Sequence, residues 1–358
     1  MINLEQTLIE QKNLVQLCSD NPPKTLNTCE IFPPNSYYGN DLIYKLYADL
    51  PLHYSLKAVL PHGSALDIDI SPKEPVWAYE LENSLPEIWC YSNLTAQVYS
   101  EALKKTNIYK EIVVSASPFL YLLKLVKANS DSFEKRGTIF FPSHSTHHII
   151  ANTSFELLAS KLDSLGEEYR PITVCIYWRD FNLGHHLPFE KRGFKIVSSG
   201  HMYDPEFLFR FYHLCSLHKY SCANDYGTAI LYSIKSGCSY FHLDAEDLYS
   251  KSLDLIKGSS NHDIRDPARY IHTETEDLSV KIDRIKTFRD LFAVPKKQLV
   301  SEQIQFVDEI LGNQFLKTPN QLKDIIMAAE AKYLATTPYY NSSWKTPFKK
   351  LYNFFRRR

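Results

Sequence analysis

From residue 40 onward the chain alternates helix-like segments with short apolar runs, and that alternation predicts its architecture. In the first half the apolar runs fall at 57–60, 88–91 and 112–115. Each is too short for a helix and lacks polar alternation, as in a strand buried on both faces. The second half repeats the rhythm more clearly: GTIFFPSHS, a helix over 154–165, PITVCIYW, FKIVSSG, a helix over 205–217, KYSCAN, another helix, then CSYFHL. Strand, helix, strand in this order is the rhythm of doubly wound parallel sheets. After about residue 256 the strands stop and the pattern turns helical. Ser301 is placed to cap a helix over 302–311, and Thr318, Pro319 and Gln321 form the start signal of another.

The expected fold class is therefore α/β, with two Rossmann-like domains facing a cleft and C-terminal helices behind them. An irregular leader is expected over 1–39, where Pro22-Pro23 and Pro33-Pro34 interrupt any helix. The first domain covers 40–130 and the second 131–295, divided at the polar stretch ANSDSFEKRG of 128–137. A helical segment over 296–340 and a basic-aromatic tail over 341–358 follow. No repeat of solenoid length is visible.

Composition narrows the function classes. Of the 358 residues 44% are hydrophobic and 23% charged, which suits a folded globular chain with room for two domains. A net charge of -1 supplies no general attraction to nucleic acid, so none is expected as partner. The seven cysteines are scattered, with no C-x-x-C pair, which argues for reduced thiols in a cytoplasm over a disulfide framework or zinc site. The opening MINLEQTLIEQKNL carries acidic and amide residues where a secretory signal needs an apolar stretch. The most apolar stretch, 116–126, is broken by Lys124 and too short to cross a bilayer, so no transmembrane span is expected.

The candidate chemistry lies at strand ends, where parallel sheets present their loops to a cleft. In CANDYGTAILYSIKSG a strand ends in Asn224 and Asp225, and Gly227 and Thr228 open directly onto a helix. Backbone N–H groups at such a start suit a phosphate. Alternatively, Gly227 lets helix and sheet pack closely. His62, before Gly63 at the end of a strand, is placed as a general base or is a surface-loop histidine. The HSTHH segment gathers His144, His147 and His148 with Ser143, Ser145 and Thr146, groups suited to hydrogen bonds with a sugar or diphosphate. A metal site there lacks a carboxylate and any H-E-x-x-H pattern, so no metal is expected. His185-His186 and Arg179-Asp180 form a polar cluster that is either surface or site. Asp204-Pro205 reads as a helix start, leaving His201 to meet a ligand.

The last segment, WKTPFKKLYNFFRRR, sets Trp344, Phe348 and Phe355 among Lys349, Lys350, Arg356, Arg357 and Arg358. Its aromatics at 348, 351, 352 and 355 share one helical face, and the expected partner is an anionic membrane surface.

FFPSHSTHH, PITVCIYWRD, GFKIVSSGHMYDPEFLFRFY and YSCANDYGTAILYSIKSG together resemble the GT-B-like glycosyltransferases of bacterial capsule and O-antigen (lipopolysaccharide) clusters. The resemblance covers about residues 40–330 and is strongest over 137–243. HGSAL is more loosely similar to the His-Gly loop of the CDP-glycerol glycerophosphotransferases. That similarity implies a base role for His62 and nucleotide-diphosphate contacts for Asn224, Asp225, Gly227 and Thr228. The serine pair usual in that family is absent here. The family resemblance implies a metal-independent transferase without cofactor, at the inner face of the cell membrane. It would move a sugar from a nucleotide-activated donor, held by the C-terminal lobe, to a growing polysaccharide or lipid-linked acceptor. Ser143, His144, His147 and His201 would join the donor-phosphate contacts. No D-x-D triplet occurs beyond Asp67-Ile68-Asp69, which reads as a loop. A CDP-alcohol phosphotransferase, a non-catalytic scaffold of a polysaccharide assembly complex, and a sugar epimerase of similar fold are the alternatives.

Overall fold

The computed structural model describes residues 14–20, 30–61, 76–127, 134–145, 150–151, 153–243, 270–271 and 277–336. A short helix α1 (Leu14–Leu17) and a 3-10 turn (Pro33–Gly39) precede helix α2 (Asn40–Tyr47), so the stretch expected to be irregular carries local structure. Strands β1 (Ala58–Val59) and β2 (Val76–Trp77), helix α3 (Ala78–Glu82), strand β3 (Glu87–Cys90), helix α4 (Asn93–Thr106), strand β4 (Glu111–Val114) and helix α5 (Pro118–Lys127) follow. Three of these strands form a parallel sheet in the order β1-β3-β4, with Ala58 opposite Glu87 and Ile88 opposite Ile112.

Local sequence accounts for these elements. In α4, Ser92 caps the start by accepting the Thr95 N–H at 3.1 Å, and Asn107 ends it in the left-handed region. Between them Thr95, Val98, Tyr99, Ala102 and Leu103 are buried, a stripe at helical spacing that lies on the sheet.

The second sheet is larger. Its elements are β5 (Thr138–Phe141), α6 (Phe155–Asp163), β6 (Ile172–Cys175), α7 (Trp178–Asn182), α8 (Leu187–Glu190), β7 (Lys195–Val197), α9 (Phe207–Ser216), β8 (Tyr220–Ala223), α10 (Thr228–Lys235) and β9 (Ser239–His242). All five strands are parallel, in the order β7-β6-β5-β8-β9. The chain thus builds outward from β5 in one direction, then returns to the other side of it with β8. That reversal between β5 and β8 is a topological switch point, where loops at the C-terminal ends diverge and leave a crevice. Strand β10 (Tyr270–Ile271) pairs antiparallel with β2 in a separate ribbon.

Helices α11 (Leu278–Phe292), α12 (Ser301–Leu311) and α13 (Pro319–Thr336) complete the described chain. The start signal at Thr318 operates as expected: its N–H donates to Gln321 Oε1 at 3.0 Å and its Oγ1 accepts the Gln321 N–H at 3.3 Å. Ser301 does not cap α12. Val300 holds that position, and the Ser301 hydroxyl donates to Glu302 at 3.1 Å.

Both sheets are covered on both faces. Phe140, Leu158, Val174, Phe189 and Phe241 form a core between the second sheet and α6 and α8, while Val59, Ile88, Val98, Tyr99 and Leu103 form another under α4. The largest core lies between the sheets and draws on both of them: Leu42, Trp89 and Phe119 meet Phe141, Ile230 and Tyr240, with Phe288, Phe292 and Leu311 from the last helices. Of the polar stretch at 128–137, residues 128–133 lie outside the described residues.

Helix α13 returns to the first sheet. Tyr54 donates to Glu330 at 2.9 Å, and Lys332 reaches Glu87 at 2.6 Å and Glu111 at 2.5 Å. Glu87 is 1% exposed and its other carboxylate oxygen accepts the Trp89 indole N–H at 2.8 Å. Lys332→Ala leaves that buried carboxylate with the indole and no cation. The expected cost is about 1–2 kcal/mol, moderated because the lysine is partly in solvent, and is read as a lower urea midpoint at unchanged m-value.

The six described cysteines are free and buried. Among the described residues no helix is long and apolar enough to cross a membrane.

Candidate functional site

A cavity of about 410 Å³ lies at the C-terminal ends of β5, β6, β7 and β8, at the switch point. Its inner surface is apolar, with Phe141, Leu208, Phe211 and Ile230. Its polar groups come from strand-end loops: Ser143 and His144 after β5, Tyr177 after β6, Ser198 and Ser199 after β7, and Asp225, Gly227 and Thr228 after β8. Tyr38 and Asn40, from the segment preceding the first sheet, close one side. Size, apolar floor and few convergent polar groups are those of a small-molecule site.

Tyr38 and Asn40 reach the cavity because the 3-10 turn is held against the loop after β7. The Tyr38 N–H donates to the Met202 carbonyl at 2.7 Å, and the Tyr38 ring centroid lies 4.9 Å from that of Phe207. Between them Gly39 sits at φ +80°, so close to Pro205 that an added Cβ would lie 2.0 Å from its carbonyl oxygen.

The two loops at the switch point are tied to each other. Ser143 N–H donates to Asn224 Oδ1 at 2.8 Å, and Asn224 Nδ2 donates to Ser143 Oγ at 3.2 Å. Behind them the fully buried Asp180 organises the next turn of chain. One of its oxygens accepts the Ser145 N–H at 2.8 Å; the other accepts the Ser145 hydroxyl at 2.6 Å and lies 2.8 Å from His185 Nδ1. Of the cluster 179–186, Asp180, with His185 beside it, thus holds the loop after β5.

Helix α10 begins at the cavity. Gly227 occupies its N-cap and supplies no side-chain cap to the first turn. At φ -164° its backbone is extended, which any residue adopts, and an added Cβ would meet nothing within 4 Å. Close packing is thus not what places a glycine here, and among the described residues nothing fills the space at its Cβ position. The helix itself is anchored through Tyr232, which also lines the cavity and whose ring stacks on Phe119 at 4.1 Å. Nearby, the Asp225 carboxyl stands at the exposed rim, yet the protein crowded around it raises its pKa, opposed by a bond from the Tyr226 N–H at 2.8 Å and by His144.

Of the residues singled out by sequence, Ser143, His144, Asp225, Gly227 and Thr228 line this one cavity, and Asn224 backs it through Ser143. His201 does not belong with them. It is 1% exposed, its Nδ1 accepts the Tyr203 N–H at 3.1 Å, and its ring packs 4.2 Å from Trp178. A histidine after a strand reads alike whether it faces a ligand or closes a turn, and here it closes the turn. Asp204 accepts the Glu206 N–H at 3.0 Å ahead of α9 and pairs with Arg210 at 2.5 Å. His62, His147 and the tail residues Trp344, Phe348, Lys349, Lys350, Phe355, Arg356, Arg357 and Arg358 lie outside the described residues. Sequence reasoning missed Tyr38, Asn40 and Tyr177. The first two carry no local signal, because contacts distant in sequence bring them to the cavity.

The fold and site thus define an α/β protein with a ligand cavity at the switch point of a five-stranded parallel sheet. No family model matches the chain, and no curated protein matches it. Among solved structures, that of the wall teichoic acid polymerase TagF aligns over 79% of this chain and 69% of its own, at 12% identity and a TM-score of 0.39. A likeness of that degree carries nothing about activity from one chain to the other.

Proposed function

We propose that this chain is a metal-independent glycosyltransferase, taking a sugar from a nucleotide-activated donor to a hydroxyl of a cell-surface polysaccharide or lipid-linked acceptor. The carrying observation is the cavity of about 410 Å³ into which α10 opens its N-terminus past a glycine with free space before it. Donor phosphates placed there meet backbone N–H groups, Thr228, Ser143 and His144. As the bond to the sugar breaks, charge gathers on the leaving diphosphate. Fixed donors that bind it more strongly than the ground state lower the barrier. The apolar floor suits the flat face of a nucleobase, and the resemblance of the second half to capsule and O-antigen transferases agrees with this reading.

In the same reading the two sheets are the two lobes of a GT-B-like enzyme, and His62 is the base that takes the proton of the acceptor hydroxyl. Pro61, the residue before it, is fixed at the end of β1 by a 2.9 Å hydrogen bond from the Tyr91 hydroxyl to its carbonyl. The basic-aromatic tail over 341–358 would hold the enzyme on an anionic membrane surface, close to lipid-linked acceptors.

A thermal-shift screen against CMP, CDP, UDP, GDP and dTDP tests the proposal. One nucleoside diphosphate is expected to raise the melting temperature selectively, since a ligand at a hundred times its Kd stabilises the native state by about 2.7 kcal/mol. A shift with CDP, followed by turnover of CDP-alcohols and not of sugar nucleotides, replaces the sugar by a polyol phosphate. No shift with any nucleotide overturns the transferase and leaves the scaffold.

A further inference from the structure

We infer that Asn224 turns the Ser143 hydroxyl proton away from itself, leaving Ser143 to donate to a phosphoryl oxygen held at the N-terminus of α10. The inference rests on the phosphate reading of the cavity and names two roles within it: Ser143 touches the ligand, and Asn224 is a positioning residue.

The argument follows from what each group can give or take. A carboxamide has one accepting and one donating end. The backbone N–H of Ser143 can only donate, so the atom 2.8 Å from it must be the Asn224 oxygen. The amide orientation is thereby settled by chemistry. The Asn224 nitrogen is then the atom 3.2 Å from Ser143 Oγ, and that contact is a donation into the hydroxyl oxygen. A hydroxyl that accepts from Asn224 cannot point its own proton there. Ser143 lines the cavity while Asn224 does not, and Gly227, also on that lining, leaves the approach to the helix amides open.

The clip is fixed by the fold. Strands β5 and β8 pair in register with Phe141 opposite Ala223, which sets Ser143 and Asn224 side by side just beyond the last pair. The cavity thus offers the ligand a hydroxyl donor beside a helix N-terminus. A phosphoryl oxygen of a diphosphate, which only accepts, fits that pair of donors.

The test is a double-mutant cycle read by titration calorimetry with inorganic pyrophosphate, on the wild type, Ser143→Ala, Asn224→Asp and the double variant. Aspartate keeps an oxygen for the Ser143 N–H but puts a second acceptor where the amide donated, so it captures the hydroxyl proton and turns it from the cavity. It also adds a charge that repels phosphate. Comparison across the two backgrounds separates the effects, because only the proton effect needs Ser143. Ser143→Ala is expected to weaken pyrophosphate about tenfold. Asn224→Asp is expected to cost several-fold more in the wild type than in the Ser143→Ala background. An equal factor in both backgrounds, or no binding of pyrophosphate by the wild type, overturns the inference. Pyrophosphate binding with the expected non-additivity, in a protein that no nucleotide stabilises, upholds the clip while removing the transferase reading.

Discussion

Gly39→Ala is expected to lower stability by about 3 kcal/mol or more and to abolish ligand binding at the cavity. Two costs add. The φ of +80° lies in the left-handed region, where a side chain costs about 1–2 kcal/mol. The new methyl would also sit 2.0 Å from the Pro205 carbonyl oxygen and 2.8 Å from its carbon, and both belong to backbone that cannot rotate aside. Relief requires the 3-10 turn to move off the loop after β7. That breaks the hydrogen bond from Tyr38 to Met202 and withdraws Tyr38 and Asn40 from the cavity wall. Gly193→Ala is the control, since Gly193 shares a positive φ of +75° but has nothing within 4 Å of an added Cβ. It should lose only the left-handed cost, about 1 kcal/mol. Urea unfolding of both variants measures the difference. If Gly39→Ala matches Gly193→Ala, the close approach to Pro205 is not what holds the wall in place.

The contrast between these glycines also marks where the sequence is legible. The strands of the second sheet were readable because that sheet is covered on both faces, so TIFF, ITVC, YSCA and SYFH are buried along their whole length and read as short, mainly apolar runs. The caps at Ser92, Ser154 and Thr318 are local signals, confined to residues three apart. Strand order is not local. Nothing in the run of residues says that β8 returns beside β5, and hence that the loops carrying Ser143 and Asn224 meet. Asn224 therefore read as a ligand contact, although its amide is occupied by Ser143. The same limit hid Gly39, whose need for glycine arises from Pro205 on another part of the chain.

Gly227 poses the opposite case, and its substitution is expected to remove binding without loss of stability. An extended backbone and open space admit a side chain, and aspartate is a better N-cap than glycine by a few tenths of a kcal/mol, with a further gain of about 0.3–1 kcal/mol from its charge at the helix N-terminus. Gly227→Asp should thus melt at or slightly above the wild-type temperature. Its carboxylate, however, takes the amides and the space that a diphosphate would use and, with Asp225 at the rim, repels the incoming charge. The expected loss is at least a hundredfold in Kd for the stabilising nucleotide, about 2.7 kcal/mol. Gly227→Asn supplies a cap of the same shape without the charge and should lose roughly tenfold, from occupied space alone. The gap between the two variants is electrostatic and should shrink as ionic strength rises from about 0.05 to 0.5 M. Equal affinities for wild type, Asp and Asn would mean that no phosphate binds at the N-terminus of α10. The transferase reading would then lose the observation that carries it, while the fold and cavity would stand unchanged.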